Sequence, residues 1–162
     1  MAELTQLESK LGEVFGLAQA AQDATSKVIG LLDDEQLQSQ LEQMRAEAAE
    51  TERRCEEIAG QLDGKKTALQ EKARETKSEA QEMMKTYLGN DADGLDGLEF
   101  LTMAEAGELG HVEIMGRMNE KARNPALQEL VEWALPIQQR HFDATRQGAL
   151  TLAGQEDPNE PA

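Results

Sequence analysis

The stretch Leu98–Leu152, LEFLTMAEAGELGHVEIMGRMNEKARNPALQELVEWALPIQQRHFDATRQGALTL, decides the fold of this chain. It divides at Asn124-Pro125 into two segments, each of which repeats apolar residues at alternating steps of three and four. That spacing places the apolar residues on one face of an α-helix. The short break between the segments predicts two antiparallel helices hinged at this point.

Each of the two predicted helices carries one of the chain's two histidines within its apolar stripe. Glu108 and Gln138 each stand three residues before a histidine, on the same helix face. Counted from the turn at about 1.5 Å per residue, the two imidazole rings fall at similar depth. The sequence therefore predicts one shared polar site inside a helical bundle. The two stripes are Leu101, Ala104, Glu108, His111, Met115, Met118 and Ala122, and then Leu127, Leu130, Ala134, Ile137, His141 and Ala144.

The composition is that of an all-α protein. The 162 residues suit one domain, and aromatic residues make up only 3% of them. The net charge of −16 disfavours binding to nucleic acid or to an anionic membrane surface. The lone Cys55 excludes an internal disulfide, and no signal peptide or membrane span is visible. These features predict a cytoplasmic protein.

The same stepwise spacing extends through the rest of the chain and predicts four long helices plus a connecting helix. Residues 1–153 form the predicted helical bundle, and residues 154–162 form an acidic tail that we expect to be disordered, because it has nothing to bury. A very short connection at Asp33-Asp34 makes the first two helices antiparallel neighbours. The expected helices span residues 3–32, 35–62, 66–88, 98–123 and 125–153.

Two further acids on the second predicted helix stand at the height of the histidine site. Glu47 and Glu50 have Glu-x-x-Glu spacing beside the apolar stripe, and Gln19 and Gln22 lie at the matching height on the first helix. Metal sites in helical bundles are built from carboxylates and imidazoles that project inward from facing helices. The predicted metal ligands are Glu47, Glu50, Glu108, His111, Gln138 and His141.

Two short segments resemble a known family. They are Gly64-Lys65-Lys66, after the second helix, and the run GHVEIMG at residues 110–116. The run is similar to a Glu-His-Tyr-Glu-Ile-Ala-Gly segment in the fourth helix of small bacterial ferritin-like stress proteins. The chain thus resembles the ferritin-like superfamily. The resemblance implies an antiparallel four-helix bundle with an additional connecting helix, an iron or manganese carboxylate centre, and a role in oxidative or general stress.

The resemblance also implies which residues hold the metal. Glu47 corresponds to a ligand from the second helix, and Glu108 or Glu113 with His111 corresponds to the set from the fourth. Gln138 and His141 correspond to the set from the fifth helix, with an amide in place of the last acid. The first helix offers only Gln19 or Gln22 where the family has a bridging Glu. A neutral amide does not balance the charge of two divalent ions, so we expect one metal ion or none.

Another interpretation remains open at this stage. The buried polar residues would also serve as a hydrogen-bonded network that fixes the register of the helices. The chain would then be a non-catalytic helical scaffold that acts by self-association or by binding a protein partner. A two-fold dimer is expected because Phe15, Leu17 and Ile29 add apolar surface beside the seams of long helices.

Overall fold

The computed structural model describes residues 1–162, and it contains five α-helices and no strand. The all-α prediction is confirmed. Residues 155–162, beyond the last helix, are exposed and form only turns. None of the helices has the length and the apolar character needed to cross a membrane. The helices are α1 (Gln6–Ile29), α2 (Glu35–Gln61), α3 (Lys66–Tyr87), α4 (Gly94–Ala122) and α5 (Pro125–Ala153).

The beginnings of the helices are set by side chains that cap free backbone N–H groups. Thr5 and Glu8 form a capping box at α1, and the side chains of Asp34 and Asn124 accept hydrogen bonds at α2 and α5. A second capping box, between Asp93 and Asp96, starts α4 at Gly94. The helix therefore begins four residues before the predicted start at residue 98, because the capping signal lies before the first buried leucine, Leu98.

Four of the helices form a closed ring of contacts: α1 with α2, α2 with α5, α5 with α4, and α4 with α1. Neighbours around the ring are antiparallel. In the α2–α5 pair, for example, Glu47 pairs with Arg140, and Arg54 stacks on Trp133 further along. The backbones of the helices on the diagonals, α1 with α5 and α2 with α4, do not come close to each other.

Helix α3 lies outside this ring and packs mainly on α1, with which it is parallel. Lys65 pairs with Glu8 near the start of both helices, and Lys77 pairs with Asp23 further along. The backbones come close because α1 presents glycine to α3. A Cβ atom added to Gly16 would lie 2.3 Å from the carbonyl oxygen of Ala73. Helix α3 thereby returns the chain to the end of the ring where α4 begins.

The apolar core is divided into two clusters, one towards each end of the ring. Cys55 lies in the first cluster, where burial raises the pKa of its thiol, so the thiol stays neutral as a small apolar side chain does. The first cluster includes Leu11, Phe15, Cys55, Met115 and Leu130. The second includes Val28, Leu41, Leu98, Phe100 and Leu101.

Between the two clusters lies a set of polar side chains that we call the polar layer. On α4, Leu101 belongs to one cluster and Val112 to the other, and the residues between them point acids into the interior. Small residues occupy the same height on α1 and α2 and leave room for polar groups. The polar layer consists of Glu47, Glu105, Glu108, Gln138 and His141.

Candidate functional site

The interior part of the polar layer comes from two i,i+3 pairs on neighbouring helices. Glu105 and Glu108 lie one turn apart on α4, and Gln138 and His141 lie one turn apart on α5. That spacing places both members of a pair on one helix face. All four residues are at most 9% exposed. Two acids, an amide and an imidazole are therefore enclosed between α4 and α5.

A single amide bridges the two buried acids. Gln138 Nε2 donates to Glu108 Oε2 at 3.0 Å and to Glu105 Oε2 at 3.4 Å. No lysine or arginine forms an ion pair with either carboxylate, and the only ionisable partner is the imidazole of His141 beside Glu105. The two acids thus depend on a neutral amide and one imidazole.

His141 connects the acids on α4 to α2. Its Nδ1 lies 3.5 Å from Glu105 Oε2, and its Nε2 lies 3.4 Å from Glu47 Oε1. A neutral imidazole donates from one nitrogen only, whereas an imidazolium donates from both. His141 therefore stands between two carboxylates on different helices and can serve both only when it carries a proton on each nitrogen.

Glu47 forms the outer edge of the polar layer. Its two carboxylate oxygens accept from the Arg140 guanidinium, with Nη1 3.0 Å from Oε1 and Nη2 2.6 Å from Oε2. This is the paired geometry in which a guanidinium binds a carboxylate most firmly. The side chain of Glu47 is 18% exposed and that of Arg140 is 49% exposed. Glu47 is thus the one acid of the layer that has a full cationic partner, and that partner lies at the surface.

Burial changes the pKa of Glu108. Removal from water, followed by the neighbouring charge of Glu105, raises the pKa of Glu108 well above its ordinary value of 4.5, while the hydrogen bond from Gln138 acts in the opposite direction. Two carboxylates at such close range do not both stay ionised unless a cation joins them. The raised pKa of Glu108 favours the neutral form of this carboxyl group in the polar layer.

A small space adjoins the inner acids. A cavity of about 10 Å³ is lined by Thr51, Glu108 and Gln138 together with three apolar side chains. This is close to the volume that one water molecule requires. The small residues Ala18 and Ala21 on α1 and Ala48 on α2 are buried.

The structure brings four of the six predicted ligands into the polar layer, and it places the other two elsewhere. His111 Nδ1 lies 2.8 Å from the carbonyl oxygen of Gly107, and its Nε2 lies 3.3 Å from Glu13 Oε2 on α1. Its side chain is 35% exposed. No hydrogen bond or ion pair joins His111 to the side chains of the polar layer, so the two histidines have separate partners.

Glu50 also has partners of its own. It accepts from Arg53 and Arg54 on the same helix, and the hydrogen bond from Arg53 is the main cause that lowers the pKa of Glu50 to about 2. Gln19 and Gln22 both donate to Glu52. The polar side chains that α1 offers near mid-height thus bind an acid on α2 and do not enter the layer.

Glu105 is the member of the layer that the sequence reasoning missed. The buried positions of α4 include Leu101, Glu105, Glu108, Val112 and Met115. This set keeps the same alternating spacing as the predicted stripe but is shifted by one residue at two places, where Ala104 and His111 had been assigned. Val112 was the available signal, because a β-branched apolar residue beside a histidine is the better candidate for the interior.

The donor set of the layer has the chemistry of a metal site, although its arrangement is not that of a formed one. No group of three or more His, Cys, Asp or Glu side chains is positioned to hold a metal ion. Each nitrogen of His141 faces a carboxylate, so a metal would have to replace one of these contacts. Carboxylate oxygens and an imidazole nitrogen are nevertheless ligands that iron and manganese accept.

Comparison of the chain with protein-family models, with curated proteins and with solved structures gives no match. The polar layer therefore has to be interpreted from its own residues.

Proposed function

We propose that this chain is a ferritin-like helical protein that binds one divalent metal ion, iron or manganese, in its polar layer. The closed ring of α1, α2, α5 and α4 supports the ferritin-like arrangement, as does the outer helix α3, which carries the chain across between the second and third helices of the ring. Ferritin-like bundles have one such long crossover connection. A cytoplasmic role in oxidative or general stress belongs to the same proposal.

The observation that carries the metal proposal is the pair of buried acids with no lysine or arginine of the chain beside it. Glu105 and Glu108 share one amide donor and lie next to the imidazole of His141. A divalent ion would take the place of the proton that the raised pKa of Glu108 keeps in the layer. The bound ion would then compensate the negative charge of the two buried carboxylates.

The residues that would hold the ion are Glu105, Glu108 and His141, with the amide oxygen of Gln138 and the carboxylate of Glu47 as further donors. Iron or manganese bound there would supply one-electron redox chemistry. The chain itself supplies the carboxylates that bind, the amide that holds both of them, and the apolar clusters on either side that exclude water. Arg140 keeps Glu47 at the edge, where it can turn inward to the ion.

The test compares the two histidines. Protein purified without chelator is analysed for metal, and the melting temperature is measured with Mn²⁺ or Fe²⁺ in excess. We expect bound metal and a stabilisation of about 2.7 kcal/mol at a hundredfold excess over the dissociation constant. His141→Ala should lose both. His111→Ala is the matched control and should keep both, because His111 binds Glu13 and Gly107 outside the layer.

The metal proposal fails if the purified protein contains no metal and if iron, manganese and zinc all leave its melting temperature unchanged. It also fails if His111→Ala and His141→Ala alter metal binding equally, since the ligands would then lie outside the polar layer.

A second candidate function is a helical scaffold whose polar layer only fixes the register of the helices. One observation favours it: every buried polar atom of a side chain already has a hydrogen-bond partner. The dimer and protein-partner expectations belong to this candidate. A scaffold would be destabilised by His141→Ala to the same extent with and without metal, which separates the two proposals.

A further inference from the structure

A groove of about 230 Å³ opens between α3 and α4, over α1. Its walls are mostly apolar, and the residues at its rim are unusually exposed for their type: Met83 is 57%, Tyr87 55% and Met103 48% exposed. Large apolar side chains that line one concave surface are typical of a site for a small organic molecule. The groove is thus a second feature of the chain, on a different side from the Glu47–Arg140 edge.

The groove exists because α3 and α4 separate above α1. The first half of α3 buries Leu69, Ala73 and Thr76, whereas Met83 and Tyr87 in its second half remain exposed, although the same spacing continues through them. On the opposite wall α4 presents the small residues Ala104 and Gly107 as well as large apolar side chains. A Cβ atom added to Gly107 would have no other atom within 4 Å, so this part of α4 faces open space.

The inner end of the groove is acidic. Glu105 and Glu108 both contribute to its lining, and both are more than nine-tenths buried. His111 lies at the same end, hydrogen-bonded to the carbonyl oxygen of Gly107. The apolar part of the groove is open to solvent. At its inner end the groove reaches a pair of acids that are otherwise buried.

The combination of apolar walls and an acidic end selects the ligand by the charge of its head group. We propose that the groove binds a small amphiphilic amine, with its hydrocarbon part between α3 and α4 and its ammonium group at the carboxylate of Glu108. An ammonium group donates hydrogen bonds to a carboxylate and favours its ionised form, and the hydrocarbon part gains from leaving water. A fatty acid of the same length presents a like charge to Glu105 and Glu108, and an alcohol presents none.

This proposal does not depend on the metal. A metal ion and an ammonium group would nevertheless neutralise the same acids, so each weakens the binding of the other by the same factor. The amine is therefore measured on the full chain after treatment with chelator, and the metal is measured without amine. Failure of either proposal then leaves the other to be judged by its own experiment.

The probes are octylamine, octanol and octanoate, which share a chain length and differ in the charge of the head group. Binding is followed by calorimetry and by ligand-observed NMR below the micelle concentrations. We expect octylamine to bind about tenfold more tightly than octanol, which corresponds to about 1.4 kcal/mol, and octanoate to bind most weakly. The preference for the amine should decrease as salt is added, although less than for an exposed pair.

Two variants locate the site. Gly107→Leu places a side chain in the open space of the groove and should abolish binding of octylamine and octanol alike. Gly110→Leu is the matched control, because a Cβ atom there also meets nothing within 4 Å but Gly110 does not line the groove. Glu108→Gln should remove the preference for octylamine over octanol.

The proposal is overturned if the three probes bind equally, if none binds, or if Gly107→Leu and Gly110→Leu behave alike. It is also overturned if sedimentation shows that wild-type protein is a dimer that Gly107→Leu dissociates, since a second copy would then cover the groove. If Gly107→Leu does not fold, the head-group preference of Glu108→Gln decides the matter.

Discussion

The two histidines of this chain have matching neighbours and different surroundings. His111 contacts Glu13, which also pairs with Lys10, and His141 contacts Glu47, which also pairs with Arg140. The side chain of His111 is 35% exposed and that of His141 only 3%. The decisive difference is a second carboxylate, Glu105, at the other nitrogen of His141.

The comparison shows that the helix packed over a residue matters as much as the residue's place in a stripe. His111 lies at the groove, where α3 no longer covers α4. His141 lies between α4 and α2, inside the ring. Equal spacing along two helices therefore produced one histidine at the surface and one in the interior.

The largest effect should come from removing each histidine in metal-free protein. His141→Ala leaves Glu105 without its only ionisable partner inside the bundle, and we expect a loss of about 1–3 kcal/mol in the free energy of unfolding. His111→Ala removes a half-exposed side chain, and we expect a change within about 0.5 kcal/mol. Urea unfolding of both variants at neutral pH measures the difference. Equal losses for the two variants would contradict the expectation that His141 contributes more to the free energy of unfolding than His111.

Glu108→Gln should change the free energy of unfolding by a smaller amount, and the change should depend on pH. The raised pKa of Glu108 means that the folded chain keeps a proton that the unfolded chain has lost once the pH exceeds the ordinary value of 4.5. Wild-type stability therefore falls as pH rises above that value, up to the pKa in the folded state. Glutamine has no such proton and can still accept from Gln138. We expect Glu108→Gln to be more stable than wild type at neutral pH, by on the order of 1 kcal/mol.

The difference in stability between Glu108→Gln and wild type should shrink towards pH 4. There both the folded and the unfolded wild-type chain hold the proton of Glu108. Unfolding curves at several pH values on chelator-treated protein measure it. Glu113→Gln, at an exposed position on the same helix, is the control and should show no such trend. A Glu108→Gln protein that is less stable than wild type at neutral pH would contradict the assigned role of Glu108.

The smallest effect concerns the basic residues that pair with the two glutamates. Arg140→Ala removes a paired guanidinium from Glu47, which also contacts the buried His141. Lys10→Ala removes the corresponding cation from Glu13 beside the half-exposed His111. Ion pairs at the surface contribute about 0–1 kcal/mol. We expect Arg140→Ala to lie at the upper end of this range and Lys10→Ala near zero. Thermal unfolding of the two variants at low and high salt measures these losses of stability. A larger loss for Lys10→Ala than for Arg140→Ala would contradict the prediction.

Much of the fold follows from local features of the sequence. Helices α1 and α2 each have a continuous apolar seam at alternating steps of three and four, and its members Leu11, Val14, Leu41 and Cys55 are buried. The ends of the helices were predicted to within a few residues except at α4. There the acids Asp93 and Asp96 extend the helix by a turn, and their pairing is visible only once their side chains are placed.

The site was harder to predict than the fold. A shift of the buried stripe by one residue along α4 decides which side chains face the interior of the bundle. Helix α4 contacts α1 on one side and α5 on the other, so its buried face is wide, and two stripes with the same spacing fit it. The sequence reasoning chose the stripe that contains His111, whereas Glu105 and Val112 are the buried residues. On α5 the predicted stripe contains His141, which is buried, but it also contains Ile137 and Ala144, whereas Gln138 and Thr145 are the buried residues there.

The groove could not be predicted from the spacing of α3 at all. Ala73, Thr76, Met83 and Tyr87 belong to one continuous stripe, but only the first two are buried. Whether α3 stays against its neighbours depends on the glycines of α1. Gly12 and Gly16 admit the first half of α3 closely, and the second half has no such contact site.

The position of the polar layer between two apolar clusters also has a consequence for how the molecule opens. Each cluster can retain its own packing while the layer between them separates, so the backbone amides near the two ends of the ring exchange with solvent through different openings. A cation in the layer would bind acids on α4, the imidazole on α5 and Glu47 on α2 at once, and would join both openings into one cooperative event. Amide protection would then report occupancy of the layer at residues far from it, including those beside Phe15 and Leu98 at opposite ends of the core.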